Sequence, residues 1–279
     1  MEFKSGGRQS PRQNPLGAPA IDGLLILCCV PQLPISTDHE GRLQSDGRET
    51  LVIPWKLIDT ADVPGGGEQL RLMQRGNDFT IKLGQNELMN SRLYGSEEAL
   101  ATLSCARIKA RPAPRLLIGG LGMGFTLRAA LKVLGPQARV TVAELVPAVV
   151  AWARGPLAAL SGESLADPRV DIREADVGAM IAAARADYDA ILLDVDNGPQ
   201  GLTRKSNDAL YDAEGLRAAF GALSPAGVLA VWSSHPDDHF APRLRKAGFV
   251  AEEIKIRATG RGSSGGARHV IWIATRPAR

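Results

Sequence analysis

Between Leu51 and residue 90, short β-favouring runs ("LVIPWKLIDTADV", "QLRLMQRGNDFTIKLG", "NELMNSR") are broken by Gly, Asn and Asp, and "RGND" stands where a hairpin turn belongs. The pattern predicts a small antiparallel β unit. The period then changes: "GSEEALATLSCARI" (95–108) carries Ala99, Leu100, Leu103 and Ile108 at helical spacing, which predicts a helix. From residue 115 apolar runs alternate with Ala- and Leu-rich stretches. The candidate strands are "RLLIG" (115–119), "RVTVAE" (139–144), "RVDIRE" (169–174), "DAILLD" (189–194) and "GVLAVWS" (227–233). Such alternation predicts a parallel sheet covered on both faces, with crossovers of one hand. The last two runs, "GFVAEEIKIRA" (248–258) and "RHVIWIATR" (268–276), leave no room for a helix between them, so they predict an antiparallel hairpin at the sheet edge.

These elements divide the 279 residues into an irregular segment (1–50), a small β domain (51–94) and a large α/β domain (95–279). Residues 1–19, rich in Pro, Gly, Gln and Arg, have too little apolar surface to offset their ordering entropy and are expected to be disordered. The run "LLILCCV" (24–30) is far short of the ~20 residues that span a bilayer, and "PQLPISTD" after it is not a cleavage site. No membrane partner is expected.

Charge and cysteine content narrow the partners. A net charge of +3, from 33 basic and 30 acidic residues, is too mild to argue for nucleic acid, so a small molecule is the expected partner. Cys28 and Cys29 are adjacent and Cys105 is remote, which is neither metal-ligand spacing nor a disulfide framework; a reducing, cytoplasmic compartment is the simpler reading. His235 and His239 with Asp237 or Asp238 offer a metal pattern, but Pro236 interrupts it and a loop starting a helix is favoured, so no metal is expected. Trp232 and Trp272 fall on strands as packing residues, and Arg257, Arg261 and Arg268 flank or occupy a solvated loop.

The chemistry concentrates where strands end. Gly119, Gly120, Gly122 and Gly124 lie between a strand and a helix starting near Phe125, where absent Cβ atoms let a ligand approach the backbone. Glu144, twenty residues beyond Gly124, closes the second strand where an acidic side chain accepts ribose hydroxyls. Asp176 follows the third strand, placed to contact an adenine amino group or to cap the next helix. Asp194 ends the fourth, with Asp196 and Asn197 next, so two carboxylates stand ready to deprotonate and pair with an amine. Alternatively, Asp194 holds loop amides and Asp196 with Asn197 forms an Asx turn.

Five parallel strands and a closing hairpin is the layout of a Rossmann-like S-adenosylmethionine-dependent methyltransferase fold, a mostly parallel seven-stranded sheet. Within it, residues 51–276 resemble the spermidine synthase (polyamine aminopropyltransferase) family through "LMNSRLYGSEEALA", the glycine loop, "VAELVP", "READV" and "LLDVDNGP". The resemblance implies a nucleoside-binding transferase with S-adenosylmethionine or its decarboxylated form as co-substrate and no metal. It implies Asp194 as base, Glu144 on the ribose, Asp176 at the adenine, and a homodimer with the β unit near the contact.

The departures are specific. The family loop G-G-G-D-G-G here reads Gly119-Gly120-Leu121-Gly122-Met123-Gly124, so the Asp that grips an aminopropyl ammonium is absent at Gly122. Losing that charge-assisted hydrogen bond costs about 1.5 to 3 kcal/mol, or one to two powers of ten in affinity. The family's D-S-S-D-P becomes Asp194-Val195-Asp196-Asn197-Gly198-Pro199, and the aromatic before the helix is displaced, with Ser96 near its place and Tyr94 two residues earlier. The expectation is therefore a spermidine-synthase-like alkyltransferase moving a methyl or aminopropyl group to a small amine, with Asp194 as base and Asp196 and Tyr94 as substrate contacts. A true aminopropyltransferase and a non-catalytic nucleoside-binding protein are the alternatives.

Overall fold

The computed structural model describes residues 42–45, 48–51, 53–65, 67–195, 205–260 and 268–278. Contacts separate Met1–Val52 from Ile53–Arg279. In the first unit, β1 (Arg42–Ser45) and β2 (Arg48–Leu51) pair antiparallel, with Arg42 opposite Leu51. The tail at 1–19, the apolar run at 24–30 and the Cys28-Cys29 pair lie outside the described residues.

The second unit opens with four antiparallel strands in sequential order: β3 (Lys56–Asp62), β4 (Gln69–Arg75), β5 (Asp78–Leu83) and β6 (Asn86–Asn90). The "RGND" turn is where the sequence puts it: Arg75 faces Asp78, and Gly76 at φ +57° supplies the left-handed residue a two-residue hairpin loop requires. The sheet begins at Lys56 rather than at Leu51, which pairs inside the β1–β2 hairpin. Its alternating residues Leu70, Leu72, Ile81 and Leu83 point into the same apolar cluster as Leu100, Ile118 and Leu127. Burying one face of a small sheet in this way replaces the core it is too small to build alone.

The chain continues through α1 (Gly95–Ile108), β7 (Arg115–Gly119), α2 (Phe125–Val133), β8 (Arg139–Glu144), α3 (Pro147–Arg154), α4 (Ala158–Ser161), β9 (Val170–Glu174), α5 (Val177–Ala183) and β10 (Tyr188–Leu193). It ends with α6 (Lys205–Tyr211), α7 (Ala213–Ala222), β11 (Leu223–Ser233), α8 (Phe240–Lys246), β12 (Val250–Arg257) and β13 (Arg268–Thr275). The seven-stranded sheet runs β12-β13-β11-β10-β7-β8-β9, parallel from β11 to β9 and antiparallel at β13 and β12. The α/β layout, parallel core and closing hairpin are as the sequence predicts. From β7 the chain winds outward to β8 and β9, then returns to β10 on the other side. The strand order thus reverses between β7 and β10, and open sheets of this kind bind ligands in the crevice at that switch point.

The N-terminal ends of the parallel strands are locked by Asp189. Its buried carboxylate accepts from Arg111 Nη1 at 2.7 Å, Ser224 Oγ at 2.6 Å and the Arg115 amide at 2.8 Å, joining α1's end, β7 and β11 to β10. Trp272 and Trp232 are buried, as expected of packing residues, and Cys105 is a buried free thiol whose pKa burial pushes up to about 12. No helix among the described residues is long and apolar enough to cross a membrane.

Helix α1 has the predicted bounds but a different buried stripe. Ser96, Glu97, Leu100, Ala101, Ser104, Cys105 and Ile108 face inward, while Ala99 and Leu103 are only partly buried. Two polar residues at the helix start are therefore held inside the protein.

Candidate functional site

The C-terminal ends of the parallel strands meet in one cleft. Ladder geometry continues a residue past each strand: the Gly120 N–H donates to Ala143 O at 2.9 Å, Asp194 N–H to Gly119 O at 3.0 Å, and Ala175 N–H to Glu144 O at 2.9 Å. This register sets Gly120, Glu144, Asp176 and Asp194 side by side along the cleft, as their strand-end positions predict. The opposite wall comes from the four-stranded sheet and is apolar, with Leu70, Ile81, Leu88 and Met89.

The glycine loop is sterically obligatory. Gly120, Gly122 and Gly124 have φ of +88°, +51° and +80°, a region costly for residues with a Cβ. A Cβ on Gly120 would stand 2.6 Å from Asp194 O, one on Gly122 2.6 Å from Met89 Cε, and one on Gly124 2.9 Å from Ser161 Cβ. Gly119 differs: it is the last residue of β7, and its missing Cβ makes room for Val177 and Leu193, a packing role.

Glu144 is buried and accepts two backbone hydrogen bonds, Leu121 N–H to Oε2 and Val146 N–H to Oε1, each at 2.9 Å. It straps the glycine loop to the end of β8 while lining the cleft. Burial raises its pKa, and these N–H donors oppose the rise. Asp176 caps α5, accepting from Gly178 N at 2.7 Å and Ala179 N at 3.2 Å, as one of its two sequence readings expects, and it also lines the cleft.

Asp194 stands one residue past β10 and accepts from Thr126 Oγ1 at 2.6 Å. Burial raises its pKa to about 6, against the opposing effect of that hydrogen bond. Tyr94 precedes α1 and stacks on Phe125 with ring centroids 4.9 Å apart, beneath the Arg128 guanidinium at 5.7 Å. The structure thus gives its ring a packing partner on α2 and does not place it among the residues lining the cleft. Asp196 lies outside the described residues. Asp237 accepts from the His239 amide and pairs with Arg243 at 2.8 Å, which ties the "SSHPDDHF" segment to the start of α8.

One acidic residue near the site escaped the sequence reading. Glu97 is 9% exposed, and its pKa is raised to about 7, first by burial and then by the negative charge of Asp194. Glu97 Oε2 accepts from Ser96 Oγ at 2.6 Å, and Ser96 Oγ lies 2.9 Å from His269 Nδ1. The available signal was positional: Glu97 lies three, four, seven, eight and eleven residues before Leu100, Ala101, Ser104, Cys105 and Ile108, on the stripe that turns inward.

No family model matches the chain. A curated relative, polyamine aminopropyltransferase 1 of Streptomyces coelicolor, is 32% identical over 164 residues; the match takes in 55% of this chain and 30% of that protein, less than a third of the relative's length. Among solved structures, a spermidine synthase in complex with the transition state analogue AdoDATO and the spermidine synthase from Thermotoga maritima each align with a TM-score of 0.62 at 19% identity. Each alignment spans 80% of this chain and 73% of theirs. A probable spermidine synthase from Corynebacterium glutamicum aligns with a TM-score of 0.54 at 18% identity, over 81% of both chains. The chain has the spermidine synthase fold, and the resemblance read from its motifs is borne out in sequence and in architecture.

Proposed function

We propose that this spermidine-synthase-like chain is an alkyltransferase that binds an adenosyl sulfonium donor against the glycine loop and transfers an alkyl group to a small amine. The observation that supports this best is the alignment of Gly120, Glu144, Asp176 and Asp194 along one cleft at the switch point. Gly120 and Gly122 present their backbone to the cleft, while Glu144 is assigned as acceptor for ribose hydroxyls and Asp176 as acceptor for an adenine amino group. The curated relative's name, a polyamine aminopropyltransferase, fits an amine acceptor.

Asp194 is assigned as the base. An amine reaches the site as an ammonium; Asp194 takes one proton, the freed nitrogen pair forms the new C–N bond, and the C–S bond pair stays on sulfur as a neutral thioether. One proton is released per turnover. The leaving group needs no acid, so positioning and proton removal carry the reaction. A carboxylate whose pKa is raised to about 6 by burial is a stronger base than an exposed one and is still mostly ionised at neutral pH.

For the group transferred, methyl is placed ahead of aminopropyl. Gly122 stands where the family carries its acidic clamp, and the apolar Met89 end group fills the space beside it. An aminopropyl ammonium would meet a thioether there instead of a carboxylate. The second reading, aminopropyl transfer from the decarboxylated donor, is favoured by the relative's name. A homodimer and a cytoplasmic location complete the proposal. Titration calorimetry with S-adenosylmethionine, its decarboxylated form and methylthioadenosine, followed by turnover with a panel of amines, tests it. Tight binding of the decarboxylated form alone would overturn the preference for methyl, and absence of binding by all three would overturn the reading.

A further inference from the structure

The cleft has two unlike walls. Among the described residues, the carboxylates lining its strand-end side are Glu144, Asp176 and Asp194. The first two are held by backbone amides, Glu144 by those of Leu121 and Val146 and Asp176 by those of Gly178 and Ala179, whereas Asp194 is held by a side-chain hydroxyl, Thr126 Oγ1. On the facing side the four-stranded sheet presents Leu70 and Ile81, both buried, and Leu88 and Met89, both partly buried; Val195 continues the apolar lining directly after Asp194. The carboxylates of that sheet have other partners. Asp59 accepts from Trp152 Nε1 at 2.7 Å, Asp62 from Gln69 Nε2 at 2.8 Å, and Glu87, next to Leu88, from Thr80 Oγ1 and Asn90 Nδ2 at 2.9 Å each, while Asp78 lies 3.9 Å from both Arg75 and Arg92. None of the four lines the cleft.

We propose that the acceptor is a monoamine with an apolar body, its ammonium at Asp194 and its hydrocarbon against Leu88 and Met89, rather than a diamine or polyamine. The inference rests on the alkyltransferase reading and names the substrate class of that same site.

The nucleophilic nitrogen has to stand between Asp194 and the donor's reactive carbon, where the glycine loop meets the apolar wall. The point a Cβ on Gly122 would take is 2.6 Å from Met89 Cε, and that of a Cβ on Gly120 is 3.4 Å from Val195 Cγ1. A tail that leaves this nitrogen away from the donor therefore runs along hydrocarbon. One ammonium meets one carboxylate, and the charges match. A second ammonium four or five carbons further on would exchange its hydration for aliphatic and thioether groups that accept no strong hydrogen bond. An apolar end placed there sheds water favourably, and each added methylene should raise affinity roughly fourfold. The alkylation stays balanced: the ammonium gives one proton to Asp194, the freed nitrogen pair takes the alkyl carbon, the C–S pair remains on sulfur, and the product is a secondary ammonium.

Binding and turnover are measured separately on the full chain. With saturating methylthioadenosine present, calorimetry with n-butylamine, n-pentylamine and n-hexylamine should show affinity rising roughly fourfold per methylene. The near-isostere of n-pentylamine, 1,4-diaminobutane, should bind at least about tenfold more weakly than n-pentylamine. Values of kcat/KM with S-adenosylmethionine or its decarboxylated form should follow the same order. Leu88→Glu, which puts a carboxylate on the wall, should reverse the order and favour the diamine by about tenfold or more. The amine series on the wild-type chain decides the matter even if that variant does not fold. Affinity that ignores chain length, or a wild-type preference for 1,4-diaminobutane over n-pentylamine, overturns the apolar acceptor. Alkylation of the diamine with n-pentylamine refused would leave the alkyltransferase reading standing and this inference fallen. Graded binding of the alkylamines with no alkylation from either donor would leave the acceptor site standing and the proposed function fallen.

Discussion

The terminal methyl carbon of Met89 lies 2.6 Å from the point where a Cβ on Gly122 would stand. Met89 comes from β6 of the four-stranded sheet and Gly122 from the loop between β7 and α2, and together they make this point of the loop an apolar contact. Gly122→Asp alone meets both Met89 and a left-handed φ of +51°, which an Asp tolerates better than most residues. The pair Gly122→Asp with Met89→Ala clears the space. It should raise affinity for the decarboxylated donor by about one to two powers of ten relative to the Met89→Ala background, measured by calorimetry. An unchanged donor preference would show that this position does not select the donor.

Asp194→Asn removes the base without changing shape. The rate at saturating donor and amine should fall about 10²- to 10⁴-fold, with affinity for methylthioadenosine nearly unchanged. A variant that retained most of its turnover would assign the proton to another group.

Glu144 has two duties, and its substitution should separate them. Glu144→Gln keeps one carbonyl acceptor for the Leu121 or Val146 amide, while Glu144→Ala keeps none. Nucleoside affinity should drop in both, by about tenfold or more in the alanine variant, whose thermal midpoint should also fall as the loop loses its strap. Equal affinity in all three proteins would remove Glu144 from the ribose.

Stability should carry the signature of a carboxyl whose native pKa is raised. Below its ordinary value near 4.5 Glu97 is protonated in both folded and unfolded chains; between there and about 7 the native state holds a proton that the unfolded chain has released, so folding stability falls across that window and levels off above it. Glu97→Gln should abolish that loss, so that the stability difference between variant and parent shifts in the variant's favour by roughly 3 kcal/mol between about pH 4 and pH 8. Denaturant titrations across that range measure it, and parallel pH profiles for the two proteins would contradict the buried charge.

At the N-terminal ends of the parallel strands, Asp189→Ala removes the carboxylate that pairs with Arg111 and leaves the Arg115 amide without its acceptor. It should cost about 3 kcal/mol of stability in urea unfolding, with no change in nucleoside affinity, because the lock is remote from the strand ends that line the cleft.

Sequence alone was enough to determine the α/β layout, the closing hairpin, the bounds of α1 and the row of strand-end residues Gly120, Glu144, Asp176 and Asp194. Those features depend on local period and on the rule that a strand's last residue points to the carboxyl edge, which a linear pattern records. What only the tertiary structure decided is which groups share an environment. Ser96 and His269 are 173 residues apart and touch because α1 packs against the edge strands. Glu97 becomes the neighbour of Asp194 only when α1 turns that face inward, and Met89 reaches Gly122 only when the small sheet closes over the glycine loop. A pKa or a steric exclusion is a property of such an enclosure, and enclosure is set by packing between distant segments rather than by the order of residues along any one of them.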